Sequence, residues 1–147
     1  KYRPRTAARA ILFDKDKIAL LHVTKFKFYK LPGGGVDDGE SIEGTLVREI
    51  NEEVGSKIKI GEEIGEIIEH RSQWELVQTS HCYFAKVTKK GKPNFTQKEL
   101  DEGFEVVWVG IDEAIELVKN SKPGTYHGDF VIARDLAFLK MGKRLMK

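Results

Sequence analysis

"GGVDDGESIEGTLVREINEEVGS", Gly34 to Ser56, carries the densest chemistry in the chain, and with Pro32 and Gly33 ahead of it, it decides the fold. The first half is too rich in glycine and aspartate for regular structure and reads as a loop. Ser41 is a suitable helix N-cap and Gly55 a suitable stop, which predicts a helix from Ser41 to about Val54. On a wheel at ~100° per residue, with Ile42 at zero, Leu46, Val47, Ile50 and Val54 fall between about 40° and about 140° and should face the core. Glu49 and Glu53 fall at about −20° and about +20°, at the edge of that stripe, and Glu52 at about −80°.

Three carboxylates at i, i+3 and i+4 spacing repel one another. At ~6 Å and an effective dielectric of ~20, each pair costs on the order of 3 kcal/mol if partly desolvated. A solvated acidic face is one reading of such a helix. A divalent cation is the other, because Mg²⁺, Mn²⁺ and Ca²⁺ prefer carboxylate oxygens and Arg48 alone offsets only part of the repulsion. Pro32 to Gly35 supplies a backbone that can approach a ligand closely, directly ahead of the acidic helix. It is not a P-loop, since no Gly-Lys-Ser/Thr follows.

Outward from this stretch, Thr6 to Phe13 reads as a strand and Ile18 to Val23 as its hairpin partner. "TKFKFYK" alternates basic and aromatic residues. "SKIKI", "IGEIIEHR" and "LVQTSHCYFAKV" are strand-like, the last two hairpinned around Ser72 to Glu75. "KKGKPNFTQKELDEG" reads as a polar loop, "FEVVWV" as a strand with Trp108 in the core, "IDEAIELVKN" as a short helix, and residues 129–146 as a helix. Interleaved strands and helices place the chain in the α/β (α+β) class, with a central mixed sheet covered by helices.

The 147 residues fit one domain, 1–147, with 40% hydrophobic and 33% charged residues and a net charge of +2. That balance argues against a nucleic-acid partner, and no apolar run suits a membrane span. Residues 1–13 lack the apolar stretch of a secretory signal. Cys82 is the single cysteine, which excludes an internal disulfide, suggests a reducing cytoplasm and reads as a buried thiol.

Read as a unit, Gly34, five residues, Glu40, seven residues, Arg48-Glu49-Ile50, Asn51, Glu52-Glu53, Val54, Gly55 resembles the Nudix box, Gly-x5-Glu-x7-Arg-Glu-U-x-Glu-Glu-x-Gly-U, where U is a bulky aliphatic. Ser56 replaces the final aliphatic and is the only departure. The resemblance implies a Nudix-like α/β/α sandwich that hydrolyses a nucleoside diphosphate linked to another group, with Mg²⁺ or Mn²⁺. It implies Glu49, Glu52, Glu53 and the Gly33 carbonyl as metal ligands, with Glu40 and Arg48 orienting them. Glu53 is the first choice of general base. Glu102 is the best later candidate, ahead of Glu99 and Glu105.

Marks of other family subgroups are missing. "EHRSQW" has no proline of the ADP-ribose type, Tyr83 lies too far for the diadenosine polyphosphate type, and "SQW" is only a fragment of the NADH-type signature. Elimination leaves a MutT-like hydrolase of nucleoside triphosphates or oxidised ones. The alternatives are an ADP-ribose or nucleotide-sugar pyrophosphatase and a non-hydrolysing nucleotide sensor. For the substrate, Gly34 and Gly35 supply backbone; Phe28, Tyr29 and Trp74, with Phe26, supply aromatic walls; Arg71 and Lys27 are positioned to meet phosphates. His22, His70, His81 and His127 lack metal-ligand spacing; His70 and His81 read as structural, and His127, placed in a loop, could approach a substrate but is not counted among the site residues. The chain is expected to act as a monomer or homodimer on a small nucleotide.

Overall fold

A computed structural model describes residues 2–146. In chain order the strands are β1 (Arg3–Asp14), β2 (Lys17–Val23), β3 (Phe28–Lys30), β4 (Gly33–Gly35), β5 (Lys57–Arg71), β6 (Leu76–Lys89) and β7 (Phe104–Val109). The helices are α1 (Ile42–Glu53), α2 (Gln97–Asp101), α3 (Ile111–Lys119) and α4 (Tyr126–Leu145). Short 3₁₀ turns at Thr24–Phe26 and Ser72–Trp74 complete the hairpin ends.

The sheet is mixed, in the order β3-β2-β1-β6-β5. β1 runs parallel to β6 from Arg3↔Leu76 to Phe13↔Lys86. On its other edge it meets β2 only at the hairpin, Phe13↔Ile18 and Asp14↔Lys17. β2 then pairs with β7, and β4 pairs with the vacated edge of β1, Arg9↔Gly33 to Ala7↔Gly35. This division of partners carries the glycine stretch to the centre of the molecule.

Helices cover both faces, which is why Ala7 to Leu12 form a continuous buried run instead of an alternating one. On one face, Leu46, Ile50 and Val54 of α1 rest on a floor of Ala8, Ala10, Ala19 and Ala85. Small side chains there let the helix axis approach the sheet. The other face packs Ile11, Ile18, Leu20 and Leu31 against Ala114 and Val118 of α3 and Phe138 and Leu139 of α4.

Four sequence expectations need correction. Gly33–Gly35, read as loop, is strand β4, because its bare backbone can pair with the edge of β1 that β2 leaves open. Val47 is 51% exposed, so it is not part of the core stripe. The buried arc of α1 runs through Thr45, Leu46, Ile50 and Glu53, which puts Glu53 at its middle, not its edge. The polar loop after β6 contains α2, opened by a capping box in which Thr96 Oγ1 accepts from the Glu99 N–H and Glu99 accepts from the Thr96 N–H. Trp108 is half-buried against the alanine floor, with Lys90 Nζ 4.9 Å from its ring centroid.

Candidate functional site

Ser41 caps α1 by accepting from the Gly44 N–H, and Gly55 ends it at φ +77°. A Cβ on Gly55 would lie 2.0 Å from the carbonyl carbon of Lys92, so the helix end and the loop after β6 lock together only through glycine. With both ends fixed, α1 presents its carboxylates to β4. Gly33 donates its N–H to Glu53 Oε1 at 2.9 Å. Gly33 itself has φ +145°, and a Cβ there would meet the Ala8 carbonyl oxygen at 2.0 Å. Gly34 sits so close to Glu49 that a Cβ would lie 2.5 Å from its carboxyl carbon.

Arg48 holds the other side. Its Nε donates to Glu40 Oε2 at 2.7 Å, its Nη1 to Glu49 Oε2 at 2.7 Å and its Nη2 to the Gly35 carbonyl at 3.3 Å. These bonds, with one from Thr45 Oγ1, hold the Glu40 carboxyl down at about 2. Glu53 is 2% exposed, and burial pushes its carboxyl up to about 7 against the opposing pull of Lys30. Burial also raises Glu49. Glu52 keeps about a third of its side chain open, with Arg48 Nη1 3.9 Å away. The structure therefore gathers Glu40, Arg48, Glu49, Glu52, Glu53 and the three glycines into one site. Its donor set is oxygen only, and two of its carboxylates are raised because nothing in the protein fully compensates them. That is the composition a hard divalent cation fits.

A second layer holds Leu31, the link between β3 and β4, and sequence reasoning missed it. Leu31 donates its N–H to Asp135 Oδ2 at 2.9 Å, and Arg134 Nε donates to Asp135 Oδ1 at 2.8 Å. Arg134 Nη1 reaches Glu69 Oε1 at 3.3 Å, and Gln78 Nε2 donates to the same oxygen at 3.1 Å. Arg134 and Asp135 share the helix side of Val131 and Phe138, a polar break in an apolar stripe that was legible in "VIARDLAF".

A cavity of about 400 Å³ is lined by Phe26, Phe28 and Phe104, with Glu99 from α2, Glu102 at its C-cap, His127, and Lys30 from β3, whose charge also acts on Glu53. A larger cleft of about 650 Å³ lies between Phe13, Phe84 and Met146 at another part of the sheet, and the carboxylates of α1 line neither space. Phe28 and Glu102, two of the residues singled out in the sequence, line the smaller cavity together. Tyr29 points the other way and stacks on His22, centroids 4.1 Å apart. Arg71 is 1% exposed and donates to Glu69 and to His127 Nδ1, so it does not face solvent phosphates. Trp74, 43% exposed, stacks on His127 rather than lining the cleft. His127 belongs to the first turn of α4, not to a loop.

Residues 3–128 match the family model of the NUDIX domain. The chain belongs to the NUDIX family. Among curated NUDIX-related proteins, it is 35% identical over 78 residues to one named "Putative 8-oxo-dGTP diphosphatase" from Bacillus subtilis, covering 53% of this chain and 50% of that protein. It is 29% identical over 109 residues to an RNA pyrophosphohydrolase of the Wolbachia of Brugia malayi, covering 72% of this chain and 65% of that protein. The chain thus spans half to just under two thirds of the length of these relatives. A NUDIX hydrolase from Nitrosomonas europaea superposes with a TM-score of 0.68 at 18% identity, over 99% of this chain and 97% of the other, and shares the fold. No helix among the described residues is long and apolar enough to cross a membrane.

Proposed function

We propose that the protein is a metal-dependent hydrolase of a phosphoric anhydride in a small nucleotide, most directly a nucleoside triphosphate cleaved to monophosphate and pyrophosphate. The observation that carries this reading is Glu53: a buried carboxylate tied to the Gly33 N–H and carried on the same helix as Glu49 and Glu52. The NUDIX relationship supports the same chemistry.

Glu49, Glu52 and Glu53 would hold Mg²⁺ or Mn²⁺, together with the Gly33 carbonyl. When bound, such an ion neutralises anhydride charge and acidifies a water ligand. The chain's own residues do the rest. Arg48 fixes Glu49 and, through Glu40, the start of α1. The Gly33 N–H fixes Glu53. Glu53, the first choice of base from the sequence, is buried and committed to the Gly33 N–H, so Glu52, the most open of the three, is the better placed to accept a proton from an attacking water, with Glu102 as the second candidate. Phe28 and Phe104 provide apolar faces for a base, and Lys30 and Lys98 provide positive charge at the cavity.

Ion-exchange analysis of products with Mg²⁺ tests the proposal on dGTP, 8-oxo-dGTP, ADP-ribose and diadenosine tetraphosphate. Monophosphate and pyrophosphate from the triphosphates support it. AMP from ADP-ribose alone would reassign the substrate class. No cleavage of any of them would leave a nucleotide-binding protein without hydrolysis.

A further inference from the structure

The cavity lined by Phe28, Lys30, Glu102 and His127 has donors and acceptors on separate walls, and a buried hydrogen bond fixes which is which. His127 Nδ1 lies 2.7 Å from Nη1 of Arg71. A guanidinium has donors only, so Nδ1 must accept. A neutral ring then carries its proton on Nε2, the nitrogen turned away from Arg71. Burial and the Arg71 charge hold this imidazole down at about 4, so it is neutral near pH 7. Trp74 stacks on the ring at 5.6 Å and 17°, and Arg71 is itself clamped by Glu69 Oε2 at 2.8 Å and lies 5.1 Å from the Phe130 ring centroid. Tautomer and ring plane are both set before any ligand arrives.

Lys30 is the second donor. It lines the same cavity, with Nζ 4.9 Å from the Phe104 ring centroid, so its ammonium lies beside an aromatic face. The wall formed by α2 is of the opposite kind. Glu99 spends one oxygen on the Thr96 N–H and keeps the other, and the Glu102 carboxylate lines the cavity too. Carboxylates accept and do not donate.

Resting on the nucleotide reading above, we propose that Lys30 and His127 Nε2–H make this cavity selective for a 6-oxopurine by reading its O6 and N7, with Arg71 as the residue that positions His127. Guanine and hypoxanthine present two acceptors on that edge, whereas adenine replaces one with the N6 amino donor, which would face an ammonium. The N1–H of a 6-oxopurine is a donor on the next edge, complementary to the Glu99 and Glu102 wall. The aromatic faces of Phe28 and Phe104 serve any base and carry no selectivity.

Calorimetric binding of GMP, IMP, the 2-aminopurine ribonucleotide and AMP to the metal-free protein tests this apart from catalysis. IMP keeps the 6-oxo edge without the 2-amino group, and 2-aminopurine does the reverse. GMP and IMP are expected to bind about tenfold or more tighter than the other two. Lys30→Met and His127→Phe should each shrink that ratio by weakening GMP and IMP. Nitrogen-15 spectra of the unmodified protein should show the Nε2–H tautomer of His127 at pH 7. Equal binding of all four nucleotides, a preference that survives both substitutions, or the Nδ1–H tautomer would each overturn the proposal. If triphosphates are cleaved without base preference, this inference fails and the hydrolase reading stands. If no nucleotide is bound or cleaved, the hydrolase reading itself fails.

Discussion

Glu53→Gln should make the metal-free protein more stable while removing its function. Glutamine keeps the oxygen that accepts from the Gly33 N–H and nearly the same volume, so the packing of α1 on β4 should survive. What disappears is a carboxylate 2% exposed, whose pKa rises from the ordinary 4.5 to about 7. A folded-state pKa above the unfolded one means that the folded protein binds the proton more tightly. The associated stability is fully present below about pH 4.5 and is lost as pH climbs through about 7. At ~1.4 kcal/mol per pKa unit, the shift corresponds to on the order of 3 kcal/mol at pH 8. Urea unfolding with EDTA at pH 5 and pH 8 measures it. The wild type should lose about that much between the two pH values, and the variant should lose far less. Mg²⁺ should restore the wild type and leave the variant almost unchanged, because only the carboxylate gains from the cation. A Glu53→Gln protein less stable than wild type at pH 8 without metal would refute the reasoning, since it would mean that the Lys30 attraction outweighs the burial penalty.

Arg48→Ala frees Glu40 and Glu49 together, so metal affinity or kcat should fall by roughly 10- to 100-fold with α1 retained, as read by Mg²⁺ titration of activity and far-UV circular dichroism. Gly33→Ala places a Cβ 2.0 Å from the Ala8 carbonyl oxygen in a backbone conformation that only glycine tolerates. A loss of more than ~3 kcal/mol, roughly 10 °C in melting temperature, is expected by calorimetry. His127 should titrate at about 4 by NMR. Because that value lies below the ordinary 6.5, its neutral ring supports the fold above about pH 6.5, and the support is lost as pH falls through about 4. Cys82 is fully buried with its thiol pushed up by burial, so Ellman's reagent should not react until the protein unfolds.

The carboxylate set was legible because its chemistry is local: Arg48, Glu49, Glu52 and Glu53 lie within six positions on one helix, and their spacing on that helix is their spacing in space. The longer strands were legible for the same reason, since alternation and turn residues are read over a few positions, whereas the three-residue strands β3 and β4 were not. The depth of Glu53 was not, because a wheel shows which residues share a face but not how close the opposing surface comes. Here the alanine floor and the glycine strand bring that surface up to the carboxylate. α2 was announced by Thr96 and Glu99 and was hidden by the lysines around them. Arg71 misled because an arginine at a strand end has the same appearance whether it meets water or, as here, Glu69 two residues earlier on its own strand and His127 from a distant part of the chain. The arrangement of Arg134, Asp135 and Leu31 depends on α4 packing against β3 and β5, which no local pattern encodes.

The parallel pairing of β1 with β6 bears on how the protein is made. The first strand, Arg3 to Asp14, cannot find its longest partner until Leu76 to Lys86 has been synthesised, and the carboxylate helix lies inside the intervening chain. Non-local pairing of this kind is slow, because loop closure must precede the contacts that reward it. A nascent chain that has emerged only as far as Arg71 therefore carries every box glutamate but no completed sheet to bury Glu53 against. Metal capture should be a late event on the ribosome, following closure of the sheet rather than guiding it.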